Sequence, residues 1–139
     1  MESRNVSIAI DRPDDEVYAF LANPANLPLW AVGLGSSIDY VDGSWIAETP
    51  SGGVVVEFLP QGEFGILDHV VTLPSGEQFV NPMRVIGYRG RSEVVFTVTR
   101  RPGMTDEDYA ADEAAVAADL ATLKRILENS PAPSDTAHG

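Results

Sequence analysis

His69 and Asn81 are the two side chains of this sequence whose spacing points to chemistry inside a fold rather than on its surface. The run from Phe64 to Leu73 alternates, placing Leu67, His69, Val71 and Leu73 on one face and Ile66, Asp68, Val70 and Thr72 on the other. The first face is the more apolar, which turns His69 inward. The run from Glu77 to Ile86 sets Phe79, Asn81, Met83 and Val85 against Gln78, Val80, Pro82 and Arg84. Between the runs, Leu73-Pro74-Ser75-Gly76-Glu77 suits a three-residue hairpin, with proline opening a type I turn and glycine in the left-handed position. Counting outward from that turn, Val71 faces Phe79 and His69 faces Asn81, with opposed side chains ~5 Å apart. A histidine so placed can polarise a carbonyl or move a proton near neutral pH. An asparagine beside it can set the ring's tautomer or donate to a ligand oxygen. The same pair is also a sound structural unit, a buried imidazole satisfied by an amide.

Other groups with chemical potential read more simply. Asp14-Asp15-Glu16 and Asp106-Glu107-Asp108 are consecutive acids in helix first turns, where the helix dipole favours them. Neither has a histidine nearby, so no metal site is assigned. The chain has no cysteine, which removes disulfides, thiolate catalysis and Cys-based zinc sites. Gly33-Leu34-Gly35 lacks the strand-before, helix-after setting of a nucleotide loop, and no Gly-x-Ser-x-Gly elbow is present. Trp30 suits a ligand gate, being aromatic with a polar handle, although a tryptophan so placed is more often simply core. Met83 and Met104 fit an adaptable wall or plain core filling. Arg84 falls on the outward parity, and Pro82 beside it removes a ladder donor and marks where the register can shift. Trp45 shares a face with Ala47 and Thr49 without being assigned inside or outside. His138, in the tail, is read as inert.

The elements that position these residues follow from periodicity and turn chemistry. Val6–Ile10 alternates as a first strand. Pro13, followed by three acids, starts a short helix carrying Val17, Phe20 and Leu21 inward, and Asn23-Pro24 ends it. Residues 25–30 form a second short helix or turn interrupted by Pro28. Six strands are then expected at Ser36–Val41, Ser44–Thr49, Val54–Leu59, Phe64–Leu73, Glu77–Ile86 and Arg91–Arg100. Asp42-Gly43 and Gly52-Gly53 are read as tight turns, and Gly87 to Gly90 as the last one. The longest helix begins at Thr105 as N-cap. It carries Tyr109, Val116, Leu120, Leu123 and Leu127 on one face, joined by alanines at 110, 114, 117 and 121, with Lys124 and Arg125 near its end. An alanine-rich helix over a sheet leaves room for a cavity between them, or permits close packing with no void.

The order of elements resembles the START/birch-pollen-allergen (SRPBCC) superfamily, in particular its bacterial polyketide cyclase/dehydrase-like branch. The residues that carry the resemblance are Val6–Ile10, Pro13, Glu16-Val17-Tyr18-Ala19-Phe20-Leu21, Asn23-Pro24 and Trp30, within a likeness spanning about residues 4–128. It implies an α+β helix-grip fold: a seven-stranded curved antiparallel sheet wrapped around the long C-terminal helix, with two short helices after the first strand. It further implies an apolar cavity for lipids, polyketides, hormones or quinones. Some members close or dehydrate rings, some only carry ligands, and a related branch stimulates a chaperone's ATPase. The superfamily shares no catalytic motif, so no catalytic residue is carried over. The expected ligand wall comprises Trp30, Leu67, His69, Val71, Phe79, Asn81, Met83, Phe96 and Leu120.

Residues 1–129 are expected to form one domain and residues 130–139 a disordered tail, the Pro- and Ser-containing stretch after the last helix stopping it. A net charge of −12 repels phosphate backbones and anionic lipid, which argues against nucleic acid and membrane partners. No apolar run reaches the ~20 residues of a membrane span and the N-terminus reads straight into a strand, so residence in the cytoplasm is expected. The partner expected is a small hydrophobic ligand, with no cofactor; assembly as a homodimer stays open. Three functions compete: ligand binding, cyclase- or dehydratase-type catalysis at the His69–Asn81 spot, and a protein-interaction module working through the outer sheet face at Val70, Val80 and Ile86.

Overall fold

The computed structural model describes residues 2–31, 37–49, 52–58 and 65–129. The readings of Gly33-Leu34-Gly35, of His138 and of the tail lie outside these residues, as do the proposed strand ends at Ser36, Leu59 and Phe64. β1 (Ser3–Ile10) is followed by α1 (Asp14–Leu21), a 3-10 turn (Pro24–Asn26) and α2 (Leu27–Trp30). Then come β2 (Ser37–Val41), β3 (Ser44–Thr49), β4 (Gly52–Phe58), β5 (His69–Thr72), β6 (Gln78–Asn81), β7 (Met83–Tyr88), β8 (Arg91–Thr99) and α3 (Asp106–Asn129). All strand pairs are antiparallel.

The single seven-stranded sheet expected from the sequence is instead two sheets, of three strands in the order β1-β8-β7 and five in the order β2-β3-β4-β5-β6. The division falls at Pro82, which splits the expected run Glu77–Ile86 into β6 and β7. Proline has no N–H for the ladder. Beyond it the strand turns to β8, with Met83 opposite Phe96 and the Thr97 N–H donating to the Pro82 carbonyl at 3.0 Å. An isolated bridge between Ile66 and Arg84 still joins the two sheets. It is held by the Leu67 N–H on the Met83 carbonyl and the Val85 N–H on the Gly65 carbonyl, both 2.9 Å. Asp68 fastens the junction from outside, accepting from the Met83 N–H at 2.9 Å and pairing with Arg84. Arg84 thus keeps its outward parity across the break.

Turn chemistry was read correctly in three hairpins and misplaced in one. Asp42 and Gly43 both take positive φ between β2 and β3, as a primed turn requires. Around Pro74–Gly76 the Gly76 N–H donates to the Leu73 carbonyl and the Leu73 N–H to the Glu77 carbonyl, both 2.9 Å. The last turn is centred on Arg89 and Gly90, with Gly87 already inside β7. Gly52 and Gly53, however, open β4, paired with Thr49 and Glu48, so the turn is not made by these two glycines. Glycine is needed there for closeness: a Cβ on Gly53 would stand 3.2 Å from Ile46 Cγ2 and one on Gly52 3.1 Å from Pro74 Cγ.

The core lies where α1, α2 and α3 meet the sheets. Val17 and Leu21 of α1, Leu27 and Trp30 of α2, and Leu120, Leu123 and Leu127 of α3 are buried against Ile10, Leu67, Met83, Val85 and Val94. Thr105 caps α3 reciprocally. Its Oγ1 accepts from the Asp108 N–H at 3.0 Å, and Asp108 Oδ2 accepts from the Thr105 N–H at 3.1 Å. Thr105→Ala should therefore cost about 1 kcal/mol, or about 3–5 °C in Tm, in a thermal melt. The far end of α3 is tied to the first strand by Lys124, whose Nζ donates to the Ala9 carbonyl at 2.8 Å and to Glu128 at 2.7 Å. Glu128 in turn accepts from the Asp11 N–H at 2.8 Å. Among the described residues, no helix is long and apolar enough to cross a membrane.

Candidate functional site

The contacts of α3 explain where space is left. The helix lies mainly along β1 and also meets α2 and β8. Between its middle and the five-stranded sheet is a cavity of ≈ 720 Å³. The alanines at 110, 114, 117 and 121 do not make that room, since all four are exposed. They sit about a quarter turn around from Tyr109, Leu120 and Leu127, toward solvent. The flank that faces the cavity carries Asp112, Ala115, Val116 and Asp119. Room arises because α3 packs on β1, β8 and α2 and not closely on β4, β5 or β6.

Of the nine residues expected on the ligand wall, six line the cavity: Trp30, His69, Val71, Phe79, Asn81 and Phe96. Leu67, Met83 and Leu120 do not. They point to the same interior but are almost fully buried in the packed core. Strand parity and helix periodicity tell which face a residue occupies, not how far along the element the void extends.

The expected pairing at the polar spot is present, with His69 opposite Asn81 and Val71 opposite Phe79. His69 is 4% exposed. Its Nδ1 lies 3.1 Å from the Leu67 carbonyl oxygen, which can only accept, so Nδ1 carries the proton and Nε2 presents a lone pair. Asn81 Nδ2 stands 3.4 Å from that Nε2, a long hydrogen bond. Phe58, the cross-strand neighbour of His69 on β4, meets the imidazole edge-on at 5.3 Å, and Phe96 lies tilted at 6.1 Å. Burial among these rings holds the imidazole below its ordinary pKa, and the Leu67 carbonyl and Asp68 offset this in part.

A pH dependence follows. Because the folded-state pKa is depressed, the unfolded chain takes up a proton first as pH falls below the ordinary histidine value of ~6.5. Stability is then lost progressively until pH has passed through the folded-state value. His69→Gln should flatten that loss: between pH 7.5 and 5.5 the Tm of the variant is expected to fall less than that of the parent protein.

Sequence reasoning missed the cavity's ionic rim. Arg101, just beyond β8, has its guanidinium 4.4 Å from the centroid of Phe79 and 4.0 Å from Asp112 of α3. All three residues line the cavity, with Asp119 one helical stretch further on. Asp112, Ala115 and Asp119 share one helix flank by spacing, the one signal that could have pointed there. Trp30 is buried at 4% exposure in the wall, and its Nε1–H finds no acceptor among the described residues. Trp45, left unassigned from sequence, shares the cavity-side face with buried Ala47 and packs against Tyr40 at 5.1 Å. Met104 stands apart, its sulfur accepting from the Arg101 N–H at 3.2 Å. Among the described residues no three His, Asp or Glu side chains gather where they could hold a metal ion.

An apolar cavity gripped between a curved antiparallel assembly and a long C-terminal helix defines the helix-grip class of fold. No protein-family model and no curated protein matches the sequence. Solved structures do match. The Aha1 dimer from Colwellia psychrerythraea aligns with a TM-score of 0.72 at 18% identity, over 95% of this chain and 100% of that one. DynU16, from the dynemicin biosynthetic locus, aligns at 0.71 and 16% identity over 93% of this chain and 48% of that one. The di-domain ARO/CYC BexL of the BE-7585A biosynthetic pathway aligns at 0.66 and 19% identity over 92% and 47%. The chain thus spans about half the length of DynU16 and of BexL. At these identities the likeness establishes the fold alone, an antiparallel α+β arrangement closed by a long C-terminal helix.

Proposed function

We propose that this protein binds a small hydrophobic molecule, a lipid, polyketide or similar, in the cavity between the five-stranded sheet and α3. The observation that carries this reading is the cavity of ≈ 720 Å³, walled by Trp30, Val54, Val71, Phe79, Phe96 and Val116. Pockets of ~300–1,000 Å³ with apolar walls and a few polar groups are the usual form of small-molecule sites. DynU16 and BexL come from biosynthetic loci, which is compatible with a polyketide as the ligand. The net charge of −12 favours a diffusible ligand over nucleic acid or an anionic membrane, in a cytoplasmic setting. A homodimer is compatible with this reading.

A second reading, cyclase- or dehydratase-type catalysis, is favoured by one observation. His69 presents an unprotonated Nε2 beside Asn81, the arrangement of a base. Its depressed pKa makes it a weak base and a poor acid near neutral pH, so binding is the better supported role.

Native mass spectrometry on gently purified protein tests the main reading, together with titration by the neutral fluorophore N-phenyl-1-naphthylamine. A co-purified hydrophobe, or saturable one-to-one binding of the fluorophore, supports it. A protein that carries nothing and takes up no fluorophore sinks it.

A further inference from the structure

Resting on the reading of the cavity as a ligand site, we infer that its ligand carries a hydroxyl group held between His69 and Asn81. The Leu67 carbonyl at 3.1 Å commits the ring proton to Nδ1, which leaves Nε2 as an acceptor in an otherwise apolar stretch of wall. Its partner there, Asn81 Nδ2, is 3.4 Å away, so the Nε2 acceptor is weakly satisfied and the amide retains a second N–H.

A hydroxyl answers both sides of this pair with one group. Its O–H donates to Nε2 while its oxygen accepts from the Asn81 amide. A carbonyl can only accept, so it would serve Asn81 and leave Nε2 wanting a donor. A carboxylate would set a negative charge against the Nε2 lone pair, between the rings of Phe58 and Phe96. An ammonium would be buried with no carboxylate at the spot, since Asp112 and Asp119 stand on α3 at the rim and Asp68 points outward to Arg84. The proton stays on the ligand oxygen, because the same rings disfavour an imidazolium.

Three probes of one shape test this by calorimetry on the full chain: 2-naphthol, 2-methylnaphthalene and 2-naphthoate. The expected result is that 2-naphthol binds about 5- to 10-fold more tightly than 2-methylnaphthalene, the effect of one well-made hydrogen bond. His69→Phe should erase that preference while retaining 2-methylnaphthalene. Equal affinity of naphthol and methylnaphthalene for the parent protein would overturn the hydroxyl and leave the cavity reading standing. Tightest binding of naphthoate would overturn it too, by placing the ligand's polar end at Arg101. Binding of none of the three would overturn the inference together with the reading beneath it. Should His69→Phe fail to fold, imidazole 15N shifts of the parent protein decide the point. The Nε2 resonance is expected to move on adding 2-naphthol and to stay put with 2-methylnaphthalene, and the absence of that difference counts against the hydroxyl.

Discussion

Val116→Trp is expected to weaken binding of N-phenyl-1-naphthylamine by ~30-fold or more, about 2 kcal/mol, without lowering Tm. Val116 is half-buried on the flank of α3 that faces the void, midway between Asp112 and Asp119. An indole there has open space to enter and does not have to displace core side chains. Its burial adds contacts instead of removing them, since an aromatic side chain buries ~150–250 Å² when enclosed. Tm should therefore hold or rise by a few degrees. Leu123→Ala makes the opposite change, because Leu123 is fully buried among Val17, Leu21 and Leu67. That variant should lose about 2–5 kcal/mol of stability while leaving the cavity wall intact and probe affinity close to normal. The two variants separate a ligand site from mere packing. Unchanged fluorophore binding in Val116→Trp would mean that the cavity is not where the probe goes.

How much of this arrangement was legible beforehand depended on how local its causes are. The His69–Asn81 pairing could be read because a three-residue turn fixes the register of everything counted outward from it. Period-two alternation then says which side faces in. The cap at Thr105 and the turns at Asp42-Gly43 and Pro74–Gly76 are likewise settled within a few residues. The void was not legible in this way. Its position depends on α3 leaning toward β1 and β8, away from β4–β6, a consequence of packing among residues a hundred positions apart. For that reason Leu67, Met83 and Leu120 were assigned to the wall and belong to the core. The rim of Arg101, Asp112 and Asp119 went unread for the same reason. The alanines of α3 carry no information about the void, because their helical angle puts them in solvent.

Pro82 is the instructive case, since its effect on the ladder was legible and its outcome for the sheet was not. The missing N–H ends one pairing, but one of the two backbone hydrogen bonds that join the sheets across the gap runs to Gly65, a residue with no distinguishing context in the sequence. Its φ is +70°, and its carbonyl accepts the Val85 N–H at 2.9 Å. A Cβ at this position would press into the Val85 carbonyl oxygen, which is backbone and has no rotamer with which to yield. Gly65→Ala should therefore combine ~1–2 kcal/mol for a left-handed alanine with the loss of the bridge hydrogen bond at ~1 kcal/mol. The sum, about 2–3 kcal/mol, corresponds to a fall of about 6–15 °C in Tm. Gly103→Ala is the control: its φ is +87° but a Cβ there meets nothing within 4 Å, so only the conformational part is expected. The difference between the two melts isolates the contact with Val85. If both variants fall equally, the junction beside Pro82 does not depend on the close approach at Gly65. Because Leu67, whose carbonyl holds His69 Nδ1, lies two residues beyond Gly65 and donates its own N–H across the same junction, Gly65→Ala should also loosen the polar spot. Its preference for 2-naphthol over 2-methylnaphthalene is expected to shrink even at temperatures where the variant is fully folded.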